Sequence, residues 1–390
     1  MSNVEIMQGK LGKSGMMGNF QGKGIRDNIP VLSFFTGAGF LDIGFMQAGF
    51  QIVWSNEFNP YFVKGFEYGI TSMTGIHHKI INTSSIISVG PNQIAREAFH
   101  NTQIPQTFGI IGGPPCPDFS VGGKNMGRAG EYGPLSKVYA DKIIDLMPAF
   151  FVFENVKGLF KTARHREFFN SIRNQFEEHY LTDVRVLNSL DFGVPQDRER
   201  VFMVGINKKW LKKKLGVRTI PKDYCWFRWP EDDRYSDAKK RFIWPLETPF
   251  GYAPEKPGDI PEELMVGPLI CNLAEIASLP NGIEGLRPVS GKYHFINEGD
   301  VSRKSFKRLH RWRYSPTVAY GNNEVHLHPT QPRRLTVREA LRIQSVPDTY
   351  VLPPDMTLTH KFKTISNGVP VKLAYALATS IRNMIEEDPR

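Results

Sequence analysis

The chain has 390 residues, 41% of them apolar and 23% charged, and its 49 Lys and Arg against 39 Asp and Glu give a formal net charge of +10. These are the proportions of an ordinary globular protein with room for one large domain or two smaller ones. No run of about 18 apolar residues marks a membrane span and no signal peptide is expected, while the positive balance suits a polyanionic partner, nucleic acid before membrane.

Residues 1–29, rich in Gly, Lys and Asn and without a period, read as a flexible arm. VLSFF (31–35), between Pro30 and a glycine turn, predicts a buried strand. In FLDIGFMQAGF the apolar residues Leu41, Phe45 and Ala48 fall at helical spacing. FQIVWSNE (50–57) predicts a second strand, TFGII (107–111) a third running into a Gly-Pro loop, and AFFVFENV (149–156) a fourth. Phe168, Ile172 and Phe176 mark one face of a helix, and RVFMVGI (200–206) is again strand-like. This alternation predicts an α/β domain on a mostly parallel sheet. From 207 to 332 the period fades into sequence rich in Pro, Trp, Lys and Arg, which reads as an insert. Order returns at LTVREALRIQ, where Thr336 and Glu339 have capping-box spacing, and at VKLAYALATSIRNMI, which puts Leu373, Leu377, Ile381 and Met384 on one helical face.

Several short stretches carry chemistry. FFTGAGF (34–40) joins a strand to a helix, where glycines let a ligand approach the backbone at the sheet edge. Glu57 follows Gly37 by 20 residues, at the end of the next strand, where such folds bind ribose hydroxyls. The spacing is not GxGxxG, so a plain turn and a surface acid remain alternatives. In GGPPCPDFS (112–120) the prolines Pro114, Pro115 and Pro117 hold Cys116 in one place. Rigid placement suits a nucleophile; a buried structural thiol is the alternative. The other cysteines, Cys225 and Cys271, are distant and no CxxC occurs, so neither a disulfide framework nor a cysteine-rich zinc site is expected. His77-His78 and His326-x-His328 lack Cys or carboxylate partners at ligand spacing, and no metal is expected.

Glu154 closes a buried strand, so desolvation should raise its pKa and let it share a proton; a capping or salt-bridged Glu is the bland reading. Arg198 and Arg200 face one side if a strand begins there, with a solvated charged edge as the alternative. RKSFKRLHRWR (303–313) interleaves Arg303, Lys304, Lys307, Arg308, Arg311 and Arg313 with Phe306, Leu309 and Trp312, a spacing that predicts a helix offering cations to phosphates. KKWLKKK (208–214) is similar, and each also reads as a solvated face.

In order, FTGAGF, Glu57, PPCPDFS, FENV, QDRER, the insert, RRLTVREALRIQSVPD and SNGVPVKLA closely resemble the DNA cytosine-5 methyltransferases of bacterial restriction–modification systems, over about residues 30–385. The resemblance implies a Rossmann-like S-adenosylmethionine-dependent methyltransferase domain (30–206 and 333–390) interrupted by a target-recognition domain (207–332). It implies methyl transfer to C5 of a cytosine flipped out of a specific double-stranded DNA sequence, through a covalent bond between Cys116 and C6. Glu154 would hold N3 and the exocyclic amine, Arg200 would bind O2, and Arg198 would support the site. Phe35, Gly37, Gly39 and Leu41 would form the cofactor loop. Glu57 would bind the ribose, Phe58 the adenine face and Asn82 the adenine amine, with Pro115, Asn367 and Val369 completing the site. Ser120 and Thr317 would join the basic segment on DNA. Two departures stand out: Pro117 replaces the usual Gln, and Asn82 an acid. A cytoplasmic monomer is expected, paired functionally with a restriction endonuclease without a stable complex. A tRNA cytosine-5 methyltransferase of the same superfamily has a shorter insert. Cys116, Glu154 and Arg200 together argue against an inactive DNA-binding regulator, and the glycine loop argues against a dinucleotide oxidoreductase.

Overall fold

The computed structural model describes residues 28–100, 103–115, 133–161, 163–287, 290–320 and 324–387; the expected N-terminal arm and the stretch with Cys116, Pro117 and Ser120 lie outside them. The elements run β1 (Ile29–Phe34), α1 (Phe40–Gln47), β2 (Phe50–Asn56), α2 (Pro60–Thr74), α3 (Pro91–Phe99), β3 (Gly109–Gly112), α4 (Gly133–Leu146), β4 (Phe150–Val156), α5 (Lys157–Lys161), α6 (Ala163–Phe176), β5 (Tyr180–Asn188), β6 (Gln196–Asp197) and β7 (Glu199–Asn207). Then come α7 (Lys208–Leu215), α8 (Ala238–Arg241), α9 (Gly267–Ile270), α10 (Leu273–Ser278), β8 (Ser315–Pro316), α11 (Val337–Ile343), α12 (Leu358–Asn367) and α13 (Val371–Glu386).

The described residues form a six-stranded sheet in the order β2-β1-β3-β4-β7-β5. Its first four strands are parallel, and their short apolar runs alternate between two covered faces. Leu32, Phe34, Ile110, Phe151 and Phe153 pack under α3, α4 and α6. Val31, Ile111, Phe150 and Val152 pack under α1 and α13, where Leu373, Leu377 and Ile381 supply the expected apolar face. Gly44 of α1 lets α13 come close, because a Cβ there would overlap Ala374. The capping box at Thr336 and Glu339 is present at the start of α11.

Two features were not legible. β5 is an edge strand whose Asp183 and Arg185 break the apolar run that marks the others. β7 runs antiparallel to both neighbours, so its beginning lies at the edge where the parallel strands end. That reversal puts Arg200 opposite Val156, two residues from Glu154.

Parts of the stretch 207–332, expected to be an insert, pack against the six-stranded sheet. Trp226, Phe227 and Trp229 pack in the α1–α13 cluster. The basic helix α7 sits at the sheet edge opposite Glu154, where Trp210 Nε1 donates to Thr107 Oγ1 at 3.0 Å. The helix expected over 303–313 does not form. Phe306 adopts φ 62° and Arg308 bridges to Leu327. Phe306, Leu309 and Trp312 enter three different apolar clusters, so their regular spacing never becomes one face.

Candidate active site

At the carboxyl edge of the sheet the chain turns away from β1 through Phe35, Gly37 and Gly39, all at positive φ (52°, 58° and 81°). Glycine tolerates this region at little cost, and a Cβ at Gly37 would have no neighbour within 4 Å, which leaves its backbone open to a ligand. Three contacts hold the turn. The Gly37 amide donates to Glu57 Oε2 at 2.9 Å, the Thr36 amide donates to Asn56 O at 3.1 Å, and the Thr36 hydroxyl donates to Asp42. Asp42 is fully buried, and desolvation pushes its carboxyl up to about 6 against hydrogen bonds from Ser33 and Thr36. Sequence reading passed over Asp42; a lone acid within FLDIGF was its only signal.

Glu57 lies at the end of β2, nearly buried, its Oε1 accepting from the Asn59 amide at 2.7 Å. Burial raises its pKa, and the Asn59, Gly37 and Phe58 amides oppose the rise. The neighbouring Phe58 ring is 69% exposed, a free apolar face. Asn82, bridged to Asn56 and accepting from the Glu57 amide, is a correction. Its Oδ1 accepts from Ser84 N (3.0 Å) and Asn56 Nδ2 (3.3 Å), and its Nδ2 donates to Glu97 (3.1 Å), so both ends of the amide are engaged and none is left for an adenine amine.

Between these groups β3 is followed by Gly113-Pro114-Pro115, the segment leading to Cys116. Asn155 Nδ2 donates to Pro114 O at 3.2 Å, and a Cβ on Gly113 would overlap Glu154 Oε2. Glu154 Oε1 in turn meets Arg200 Nε at 3.1 Å, with 13% of each side chain exposed. Burial raises the Glu154 pKa, and the Arg200 and then the Arg198 guanidinium pull it back. Arg198 is fully buried, and burial lowers its pKa. Asn367 ends α12 with its side chain exposed, while Val369 and Leu41 spend their side chains on the α1–α13 core.

The sheet edge therefore assembles the glycine loop, Glu57, Phe58, Pro115, Glu154, Arg198 and Arg200 from separate parts of the chain. The expected DNA contacts divide. Arg308 is a correction: it is fully buried, its guanidinium donating to the carbonyls of Ile296, His328, Gln331 and Tyr293. Arg311 is another, held by a bidentate pair with the buried Glu298 at 2.8–3.2 Å. Arg303 and Lys304 are exposed, in long ion pairs with Asp300 at 3.7 Å and Glu324 at 3.8 Å, and Lys307 is half-buried. Arg313 lines a cavity of about 150 Å³ with Asp197, His310, Tyr314 and Pro316. Thr317 is exposed, its hydroxyl donating to Asp197 O at 2.6 Å. His326 and His328 are buried structural groups, His326 against Ser315 Oγ and His328 against Ile270 O.

A family model described as C-5 cytosine-specific DNA methylase matches residues 29–383. The type II methyltransferase M.NmeDI of Neisseria meningitidis serogroup C is 42% identical over 93% of this chain and 85% of its own. The type II methyltransferase M.FnuDI of Fusobacterium nucleatum is 30% identical over 92% and 96%. Among solved structures, a putative DNA modification methyltransferase encoded within a prophage of E. coli shares the fold. It has a TM-score of 0.57 at 21% identity, covering 92% of this chain and 100% of that one.

Proposed function

The chain belongs to the C-5 cytosine-specific DNA methylase family, and we propose from the geometry of its sheet edge how it carries out the reaction. It is a DNA cytosine-5 methyltransferase of the restriction–modification type, acting on cytosine within a specific DNA sequence. The methyl donor is S-adenosylmethionine, which supplies an electrophilic methyl group. The open backbone at Gly37, the Glu57 carboxylate beside it and the exposed Phe58 ring fit a nucleoside with its ribose on the acid and its adenine on the ring. Asn367 closes the other end.

The observation that carries the reading is the Glu154–Arg200 pair set directly against Gly113. A cytosine flipped out of the duplex presents N3 and its exocyclic amine to Glu154 and O2 to Arg200. The Cys116 thiolate adds to C6, and the C5–C6 π pair shifts toward C5. Negative charge then accumulates on the ring where Glu154 and Arg200 meet it, in a water-poor site that strengthens both contacts. Desolvation supports a proton on Glu154 that is shared with N3. C5 would take the methyl group as the donor's carbon–sulfur bond breaks and its electron pair stays on sulfur, giving S-adenosylhomocysteine; a water-derived base then removes the C5 proton, and that electron pair restores the C5–C6 double bond and expels the thiolate. Residues 207–332 select the sequence on the duplex. The enzyme works as a monomer in the cytoplasm beside a restriction endonuclease.

DNA from a host expressing the chain, sequenced after bisulfite treatment, should show one protected cytosine per recognition site. Duplex bearing 5-fluorocytosine at that position should form a covalent adduct with the wild-type protein and S-adenosylmethionine, and none with Cys116→Ala. Residual methylation by Cys116→Ala would overturn the assignment of the nucleophile.

A further inference from the structure

Arg198 is buried where three segments of the chain converge. Its Nη1 donates to Val318 O at 3.1 Å, and its Nη2 donates to Ser366 O at 2.7 Å and Gly368 O at 2.9 Å. Ser366 and Gly368 flank Asn367. Val318 follows Thr317, in the last part of the 207–332 insert. Gln196, two residues earlier and fully buried, makes a parallel strap: its Oε1 accepts from Val318 N at 3.2 Å, and its Nε2 donates to Gln344 Oε1 at 3.2 Å. Arg198 also lies within electrostatic reach of Glu154 and Arg200.

A buried guanidinium is tolerated only while its donors are satisfied. Arg198 has no margin, because its Nε is already buried without a hydrogen-bond partner among the described residues. Displacing 318 from one side, or 366–368 from the other, strips a carbonyl from the same cation. Seating either segment therefore favours the geometry that seats the other. The planar fork makes this specific to arginine, since a lysine ammonium cannot span the three acceptors in the same way.

We propose that Arg198 is a positioning residue through which S-adenosylmethionine and the DNA duplex each raise the other's affinity. This rests on reading 366–368 as part of the cofactor site and Glu154 with Arg200 as the base pocket. The coupling is reciprocal by linkage: whatever factor DNA adds to cofactor affinity, the cofactor adds to DNA affinity.

Calorimetry with S-adenosylhomocysteine, which fills the cofactor site but has no methyl group to give, alone and with a duplex carrying the target sequence, measures the coupling as a ratio of affinities. The wild-type protein should bind the cofactor more tightly with the duplex present. Arg198→Lys should shrink that ratio by about fivefold or more, taking the lower end of usual couplings, and should change the affinity for cofactor alone by less. A purely structural arginine would lower both affinities and leave the ratio intact, which would overturn the proposal, as would a wild-type protein with no coupling. Hydrogen exchange on the wild-type chain decides the matter if the variant does not fold. The cofactor alone should slow exchange at 318–320, and the duplex alone at 364–369; no cross-protection in either direction overturns the coupling. Asn367→Ala separates the two readings. If it leaves cofactor affinity unchanged, the assignment of the cofactor end fails and the proposal falls with it. If it weakens binding while Arg198→Lys keeps the wild-type ratio, only the coupling fails.

Discussion

Glu57 Oε2 accepts a hydrogen bond from the Gly37 amide at 2.9 Å, tying the turn after β1 to the end of β2 across 20 residues. The carboxylate anchors the glycine turn, and in the proposed function its remaining lone pairs serve a ribose. Glu57→Ala should weaken S-adenosylmethionine binding at least about tenfold, since one hydrogen bond to a charged group is worth roughly 1.5–3 kcal/mol. Calorimetry giving an unchanged dissociation constant would count against the ribose role.

The diagonal pair Glu154–Arg200 should matter to chemistry more than to binding. In the proposed mechanism Glu154→Gln and Arg200→Ala each remove a group aimed at charge that develops on attack, and such losses typically cost about 100- to 1,000-fold in rate. Both variants should still bind the target duplex within a few-fold of wild type in a gel-shift titration. Both should form the 5-fluorocytosine adduct slowly. Adduct formation at the wild-type rate in either variant would remove that residue from the mechanism.

The legible parts of this molecule are those whose signal is local. The apolar run that makes β4 also dictates that Glu154 emerges at its end, and the Thr336–Glu339 box needs only a spacing of three. What depends on distant partners was not legible. RKSFKRLHRWR looks like a cationic strip, yet Arg311 is claimed by Glu298, and Arg308 by carbonyls as far off as Gln331. Asn82, which replaces the family's acid, was expected to bind the adenine amine, but Glu97 on α3 holds its amide. The direction of β7, which brings Arg200 to Glu154, leaves no mark on an apolar run that reads the same both ways.

The histidines of the C-terminal half predict acid lability. Burial pushes His326 down to about 3, and His310 and His328 down to about 4. Below the ordinary value the unfolded chain binds protons that the folded chain refuses. The stability these groups contribute is therefore complete above about pH 6.5 and drains away as pH falls toward 4 and 3. The loss at pH 5 should be roughly 1–2 kcal/mol per histidine. Urea midpoints at pH 7.5 and pH 5 measure it, and His326→Gln should flatten the difference while lowering the midpoint at pH 7.5. A wild-type midpoint unchanged between those pH values would contradict the buried neutral state.

The segment 303–313 should sort into residues that hold the fold and residues that meet DNA. Arg308→Met strands four buried carbonyls and removes a guanidinium stacked 4.1 Å over the Phe250 ring. Leaving even one or two such acceptors unpaired costs roughly 1–3 kcal/mol each, so its melting temperature should fall by several degrees. Arg311→Ala should behave likewise, because it leaves the Glu298 carboxylate buried without its bidentate partner. Arg303→Ala and Lys304→Ala remove exposed cations whose ion pairs with Asp300 and Glu324 are screened by solvent, so neither should shift the melting temperature by more than about a degree. If these two face phosphates, each substitution should weaken binding to every duplex alike and reduce the salt slope by about one. Arg313, in the cavity beside Asp197 and Pro316, stands next to the strand that leads to the base pocket. Arg313→Ala should instead relax preference at one base pair, by about 1–3 kcal/mol. Melting curves and salt-dependent binding on one set of five variants separate the classes. A stable, unmelted Arg308→Met, or an Arg303→Ala whose salt slope equals that of wild type, would show that burial is the wrong guide to which of these cations reads DNA.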